Sequence, residues 1–164
     1  MARYNATWTT VTSAANADTA AQANASYPGT LRGGSATTLA KINEIYIGGE
    51  DTASIAATMI FARASVLSAG ALTVGNNSLS DVQATAPATL MSWGNTAVTS
   101  GPGRSPTLYL LGLSLNSFGG ISRWQARYGE EITVYGATAA IGEALLSCKT
   151  GTPKTSGHIL YELV

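Results

Sequence analysis

Large apolar residues are spread unevenly along the chain, and this unevenness predicts its organisation. Between residues 12 and 38 the sequence contains no Ile, Val, Met or Phe, and its only Leu is Leu31. From residue 39 onward, short apolar runs alternate with clusters of Gly, Pro and Asn, as is typical of β-strands joined by turns. We therefore predict an N-terminal arm over residues 1–38 and a β-domain over residues 39–164.

The apolar runs of the second part predict a succession of short strands. The run at residues 107–115 is the most apolar, and we expect it to form a central strand that is buried on both faces. Further strands are predicted at residues 42–47, 55–64, 71–74, 121–126, 132–135, 142–149 and 158–163, and residues 90–93 are a short apolar piece. Eight or so strands separated by Gly and Pro indicate an all-β fold, either an antiparallel sandwich or a barrel.

The predicted arm is either extended or partly helical. Residues 3–11 alternate loosely between apolar and polar positions, which fits a short strand or an extended segment. Residues 13–26 are rich in Ala and favour a helix, but Ala offers little apolar area to hold a helix in place. An ordered loop, or a segment that docks on a partner, fits these residues equally well. We expect the β-domain to stay folded when residues 1–30 are deleted.

Charge and composition narrow the classes of function. Nine basic and nine acidic residues give a formal net charge of zero, which argues against nucleic-acid binding and supplies no basic segment for an anionic membrane. Polar residues follow Arg3, and no apolar run is long enough for a signal peptide or a membrane span, so we expect synthesis in the cytoplasm. Only 11% of the residues are charged, against about 25% or more for a surface that stays soluble alone. We therefore expect partners to cover much of the surface.

The sequence predicts no enzymatic activity, no cofactor and no metal. His158 and Cys148 are the only residues of their types, which excludes an intramolecular disulfide and a zinc finger. No G-x-S-x-G motif supplies a nucleophile for His158, and Cys148 ends an apolar run, where Cys usually packs as a small apolar residue. The acidic pairs at residues 50–51 and 130–131 have the composition of a glycosidase dyad, but adjacent acids after Gly are more often solvated turn residues.

Aromatic and basic residues stand out among the small ones, and these types are enriched in the energetic centres of interfaces. Trp124 lies between Arg123 and Arg127, and Trp8 lies in a segment with few other large side chains. The alternative is that the Trp residues fill the core. The predicted interface residues are Tyr4, Trp8, Tyr27, Arg32, Arg123, Trp124 and Arg127.

Five segments carry a resemblance to a known family. They read KINEIYIGGE (residues 41–50), TMIFARAS (58–65), LGLSLNSFGGISRW (111–124), YGEEITVYG (128–136) and HILYELV (158–164). Together they resemble small structural proteins of tailed bacteriophages that decorate or cement the capsid. The resemblance spans about residues 39–164 and leaves residues 1–38 unmatched. Where the family hairpin reads Pro-Gly-Glu-Glu, this sequence has Tyr128 in the first position.

The resemblance implies a single antiparallel β-sandwich of jelly-roll-like topology over residues 39–164. It also implies a homotrimer on the exterior of the virion that joins subunits of the major capsid protein and has no enzymatic activity. Two other classes stay open, namely another phage structural component (tail, fibre or head-completion protein) and a carbohydrate-binding β-sandwich. The arm is expected to dock on the capsid.

Overall fold

The computed structural model describes residues 3–23, 26–33, 37–66, 77–79, 91–94, 102–136 and 142–164. These ranges contain eleven β-strands and no α-helix. The strands are β1 (Arg3–Thr12), β2 (Gly29–Gly33), β3 (Leu39–Glu50), β4 (Ala56–Ala64), β5 (Asn77–Leu79), β6 (Met91–Gly94), β7 (Arg104–Asn116), β8 (Phe118–Gln125), β9 (Ile132–Tyr135), β10 (Ala144–Thr150) and β11 (Lys154–Leu163). The strand predicted at residues 71–74 lies outside the described ranges.

The strands form two sheets in which early strands pair with late ones. Sheet A has the order β5-β1-β11-β3-β8, and β9 also pairs with β3; sheet B has the order β6-β2-β10-β4-β7. Every pairing is antiparallel. Nested pairing of β1 with β11 and of β2 with β10 is the arrangement of a jelly roll. The predicted all-β antiparallel sandwich is confirmed.

The hydrophobic core lies between the inner faces of the two sheets. In sheet A, β3 contributes Ile42, Ile45 and Ile47, and in sheet B, β4 contributes Met59 and Phe61; all five are fully buried. Burial of one such side chain stabilises the fold by about 1.5–3 kcal/mol. Alternate residues of each strand point to the opposite face of its sheet, so each sheet has an inner and an outer face.

The described residues of the predicted arm are part of the sandwich. In sheet A, β1 lies between β5 and β11, and in sheet B, β2 lies between β6 and β10. The side chains of Tyr4, Trp8 and Leu31 are buried in the core. This differs from the prediction of an arm separate from a domain at residues 39–164. The reason is that nested pairing makes the first strands the neighbours of the last ones.

Residues 13–23 cross sheet B without forming a helix. The amide of Asn16 donates to the carbonyl of Cys148 in β10 (3.2 Å), and that of Thr19 donates to the carbonyl of Arg104 in β7 (2.8 Å). Because β4 lies between these two strands, the segment passes over the outer face of sheet B. The side chains that it helps to bury on that face are Ile60, Ala62, Leu145 and Ser147. Of the predicted alternatives, an ordered loop describes this segment.

A buried arginine holds this crossing segment in place. Arg104 is fully buried, and its Nε donates to Asp18 Oδ1 at 2.7 Å while Nη1 donates to Ser147 Oγ at 2.8 Å. Asp18 also accepts hydrogen bonds from Lys149 Nζ at 2.6 Å and from the Tyr109 hydroxyl at 2.5 Å. A buried charge is costly unless it is paired and hydrogen-bonded. Asp18 pairs with the buried charge of Arg104, and this ion pair holds the crossing segment against sheet B.

The most apolar run does not form a central strand, so that prediction is wrong. β7 is the outermost strand of sheet B and has β4 as its neighbour. Leu113 and Leu115 face the core, whereas Leu108 and Tyr109 are exposed. An apolar run alone does not distinguish a strand buried on both faces from an edge strand that packs at the margin of the sandwich.

Two glycines of sheet A give a matched test of packing. A methyl group at Gly157 would overlap the carbonyl oxygen of Tyr46 and lie 2.5 Å from the Trp8 ring, whereas at Gly48 the nearest atoms are 3.9 Å away. We expect Gly157→Ala to lower the free energy of unfolding by roughly 1–3 kcal/mol and Gly48→Ala to change it by less than about 0.5 kcal/mol. Urea titration of both variants measures the difference, and equal losses would contradict it.

Candidate interaction surface

The outer faces of the two sheets differ. On sheet B the crossing segment, residues 13–23, helps to bury the outward side chains. On sheet A the outward side chains of β3, β8 and β11 are exposed or half-buried, apart from Glu44. A protein that binds a large partner needs such an accessible face. We therefore describe the outer face of sheet A as the candidate interaction surface.

A cluster of charged and aromatic side chains occupies the middle of this face. Glu44 Oε2 accepts a hydrogen bond from Arg123 Nη2 at 2.8 Å, and Glu44 Oε1 lies 3.2 Å from His158 Nε2. The imidazole of His158 stacks on the Tyr46 ring, with centroids 5.5 Å apart and planes at 12°. The register places these residues side by side, because Tyr46 is opposite both His158 of β11 and Arg123 of β8.

The electrostatics of the cluster keep Glu44 ionised. The hydrogen bond from Arg123 holds the pKa of the Glu44 carboxyl below its usual value; burial opposes this effect, and His158 adds to it. The side chain of Glu44 is only 11% exposed, whereas that of Arg123 is 54% exposed. Glu44 therefore acts as a fixed anchor that orients Arg123, while the guanidinium remains accessible to a partner.

A shallow trough lies next to this cluster, toward the end of β3. Its floor contains the backbone of Gly48 and Gly49, and its walls include the Tyr46 ring, Ile121 and Glu50. The volume is about 500 Å³. Gly48 is opposite Ile121 in the β3–β8 pairing, so an exposed apolar side chain stands directly beside a position without one. The absence of a side chain at Gly48 keeps this part of the outer face open.

The turn between β8 and β9 protrudes at the other end of the same sheet. The Glu130 amide donates to the Arg127 carbonyl at 2.9 Å, and the Gly129 amide donates to Glu131 Oε1 at 3.1 Å. Gly129 has a φ of 84°, a conformation that favours glycine. Tyr128 at the tip is fully exposed, with a relative accessibility of 102%. The turn is thus preformed and presents an aromatic ring to solvent.

The structure divides the predicted interface residues into two groups. Tyr4, Trp8 and Tyr27 are buried within the chain; the Tyr4 ring stacks on Tyr161, 5.5 Å away, and Trp8 Nε1 donates to Thr155 Oγ1 at 3.3 Å. Their side chains support the fold, which corrects the prediction that they meet a partner. The alternative that Trp fills the core holds for Trp8.

The remaining predicted interface residues lie nearer the surface. Arg123 and Arg127 are exposed, Arg32 is half-buried, and Trp124 is half-buried and packs against the core. Of these, Arg123 belongs to the charged cluster and Arg127 to the protruding turn. Two of the seven predicted residues are therefore accessible at sheet A, with Arg123 on its outer face and Arg127 on the turn at its end.

The residue pairs weighed as catalytic candidates are kept apart or serve the fold. Cys148 lies in β10 of sheet B and points into the core between the two sheets, and burial raises the pKa of its thiol. His158 lies on the outer face of sheet A, so the two do not form a nucleophile and base. Asp51 Oδ2 accepts the Lys154 amide at 2.8 Å, and Glu131 accepts the Gly129 amide. Asp51 and Glu131 thus each stabilise the chain at a turn.

Sequence reasoning missed Glu44, Tyr46, Asp18 and Arg104. A signal existed for Glu44, because Asn43 and Glu44 interrupt the apolar run of β3. The structure has a register shift at this point opposite Leu160 and Tyr161, and the shift turns Glu44 to the outer face. Asp18 and Arg104 are 86 residues apart, and no local pattern links them.

Comparisons with known proteins assign neither a family nor a function to the chain. No family model matches the sequence, and neither a curated protein nor a solved structure matches it. Within the described ranges, no helix is long and apolar enough to span a membrane. Over the same ranges, no group of three or more His, Cys, Asp or Glu side chains is placed to hold a metal ion.

Proposed function

We propose that this protein is a structural component of a tailed-phage virion that binds the outside of the assembled capsid and joins neighbouring major capsid protein subunits. The observation that carries the proposal is the jelly-roll sandwich with one covered outer face and one accessible outer face. The chain assembles as a homotrimer in this proposal, without enzymatic activity, cofactor, nucleic acid or membrane contact. The resemblance of five segments to capsid decoration proteins supplies the partner.

The mechanism follows from binding linkage. A protein that binds the assembled shell but not its separated subunits stabilises the shell by its binding free energy. Repetition over many symmetric sites multiplies that effect, and an oligomer that touches several subunits gains avidity. Arg123, oriented by Glu44, is the charged group that we assign to the capsid contact. The low content of charged residues fits a surface that is largely covered in the particle.

Capsid binding is tested with two matched arginine variants. Arg123 and Arg3 both lie on sheet A and both pair with a glutamate at 2.8 Å, Arg123 with Glu44 and Arg3 with Glu162. We expect Arg123→Ala to weaken capsid binding about ten-fold or more, as for an interface hot spot, and Arg3→Ala to leave it unchanged. Co-sedimentation with capsids of the phage that encodes the chain measures both affinities.

Four results would contradict the proposal or redirect it. Failure of the wild-type chain to bind capsids rejects capsid decoration. A copy number of a few to a few dozen per particle, against the order of hundreds for a repeating capsid site, identifies a tail, fibre or head-completion component. Equal binding by Arg123→Ala and wild type rejects the assigned role of Arg123. Recognition of a glycan array by the purified chain favours the carbohydrate-binding class.

A further inference from the structure

Two features of sheet A lack a role in the fold. The first is the Tyr128 ring, which is fully exposed at the tip of a preformed turn. Tyr combines a large apolar body with little conformational entropy, and it is enriched at interface centres. The second is the trough over Gly48. An alanine side chain at this position meets nothing closer than 3.9 Å, so the packing of the fold does not require glycine here, and its absence of a side chain keeps the trough open.

The two features cannot meet within one chain. The trough is beside Ile121, near the start of β8, whereas Tyr128 follows Gln125, the last residue of that strand. At about 3.3 Å per residue, Ile121 and Gln125 are roughly 13 Å apart along β8, and the turn extends further in the same direction. A chain therefore presents its ring at one end of sheet A and its trough at the other.

Charge favours a second copy as the occupant of the trough. Arg127 precedes Tyr128 on the protruding turn, and Glu50 lines the trough, so a ring that enters the trough brings opposite charges together. The formal net charge of the chain is zero, which removes overall repulsion between two copies. The protruding ring and the trough are different patches of one molecule, so a contact between them is head-to-tail, and it closes into a ring when the rotation between copies allows it.

We propose that Tyr128 of one copy packs into the trough formed by Gly48, Tyr46 and Ile121 of a second copy. The Arg127 guanidinium of the first copy then faces the Glu50 carboxylate of the second. The homotrimer of the proposed function requires three such contacts, related by a three-fold axis. The inference rests on the homotrimer of the proposed function, for which it names the contact between copies, and it is tested without capsids.

The test uses two variants that disable opposite halves of the contact. Tyr128→Ser removes the ring and keeps the trough, whereas Gly48→Leu fills the trough and keeps the ring. The measurement is sedimentation equilibrium at protein concentrations up to about 500 μM. We expect the wild type to associate and each variant alone to remain monomeric. An equimolar mixture of the two variants restores one complementary pair of patches, so we expect it to contain a heterodimer and no larger species.

Controls keep the result specific. Val66→Ser removes another exposed apolar side chain, and we expect it to associate as the wild type does. If Gly48→Leu lacks a cooperative thermal transition, Ile121→Glu replaces it, since Ile121 is exposed and walls the trough. A monomeric wild type over the whole concentration range overturns the proposal, and so does association of Tyr128→Ser with wild-type affinity. Loss of capsid binding with intact self-association rejects only the proposed function.

Discussion

Deletion of residues 1–30 is expected to leave a chain that does not fold, in contrast to the expectation from the sequence. The deletion removes β1 from between β5 and β11, together with the buried side chains of Tyr4, Trp8 and Tyr27. Each large buried side chain stabilises the fold by about 1.5–3 kcal/mol, and the hydrogen bonds of an entire strand are lost as well. The sum is comparable with the whole stability of a domain, about 5–15 kcal/mol.

Far-UV circular dichroism and urea titration measure this effect. We expect the truncated chain to show no cooperative unfolding transition, whereas Thr9→Ala, a change at an exposed position of β1, unfolds close to the wild type. Addition of a peptide of residues 1–30 to the truncated chain is expected to restore strand signal, because β11 then regains its neighbour. A cooperative transition of the truncated chain alone, at the urea midpoint of the full-length protein, would show that β1 is dispensable.

Replacement of Asp18 by Ala is expected to destabilise the protein by roughly 3–5 kcal/mol, the cost of leaving a buried charge without its partner. Arg104 is fully buried, and Asp18 is its carboxylate. Lys149→Met serves as the control, because Lys149 binds the same carboxylate from a partly exposed position and its loss leaves no buried charge. We expect it to cost less than about 1 kcal/mol. Equal effects of the two variants would contradict the role assigned to Arg104.

The same ion pair predicts how stability depends on pH. The hydrogen bonds from Lys149, Tyr109 and Arg104 hold the pKa of the Asp18 carboxyl well below its usual value. A lowered pKa in the folded state gives a contribution that is complete above the unfolded pKa, about 3.9, and is lost as the pH falls further. The stability difference between wild type and Asp18→Asn is therefore expected to be constant from about pH 7 to 5 and to shrink below about pH 4. A difference that is unchanged at pH 3 would contradict this assignment.

The sequence predicted the sandwich because turn residues and apolar runs are local signals. Residues 42–47 and 132–135 fall within strands at the predicted places, and Gly129 lies in the turn before β9, whereas β3 continues through Gly48 and Gly49 to Glu50. The pairing of β1 with β11 is not a local property. It depends on which strands share a sheet, and periodicity over a short window carries no information about that. The loose alternation of apolar and polar residues at positions 3–11 is consistent with the strand β1. It does not indicate which strand pairs with β1.

The sequence did not decide between the alternatives for the middle of the first 38 residues, for a different reason. Apolar content was the criterion for a docked segment, and residues 13–23 have little of it. Their position is fixed by backbone hydrogen bonds and by the ion pair of Asp18 with Arg104. A hydropathy pattern contains no information about either interaction. Arg104 itself lies next to Pro102 and Gly103, which mark a loop, so its burial also escaped detection.

The candidate interaction surface was predicted only in part, because residue type does not reveal the direction of a side chain. Trp8 and Trp124 are of a residue type that is enriched at interfaces. Trp8 nevertheless shares the inner face of β1 with Tyr4 and Ala6. Arg123 lies on the outer face because it is one residue away from Trp124. Successive side chains of a strand point to opposite faces, so the accessible residues are those on the outward face. Which face is outward depends on how the strands pair, and only the folded chain supplies that.

The pairing of the first strand with the last has a consequence for the timing of folding. While the chain is being synthesised, β1 emerges early but cannot gain its β11 neighbour until nearly all of the described chain has been made. Until then, the apolar faces of β1 and β3 stay uncovered at that position, and such surfaces promote aggregation. Because contacts between residues this far apart in sequence slow folding, we expect the domain to fold in milliseconds to seconds. Slow translation of the codons for β11 would therefore lengthen the interval in which the nascent chain needs protection.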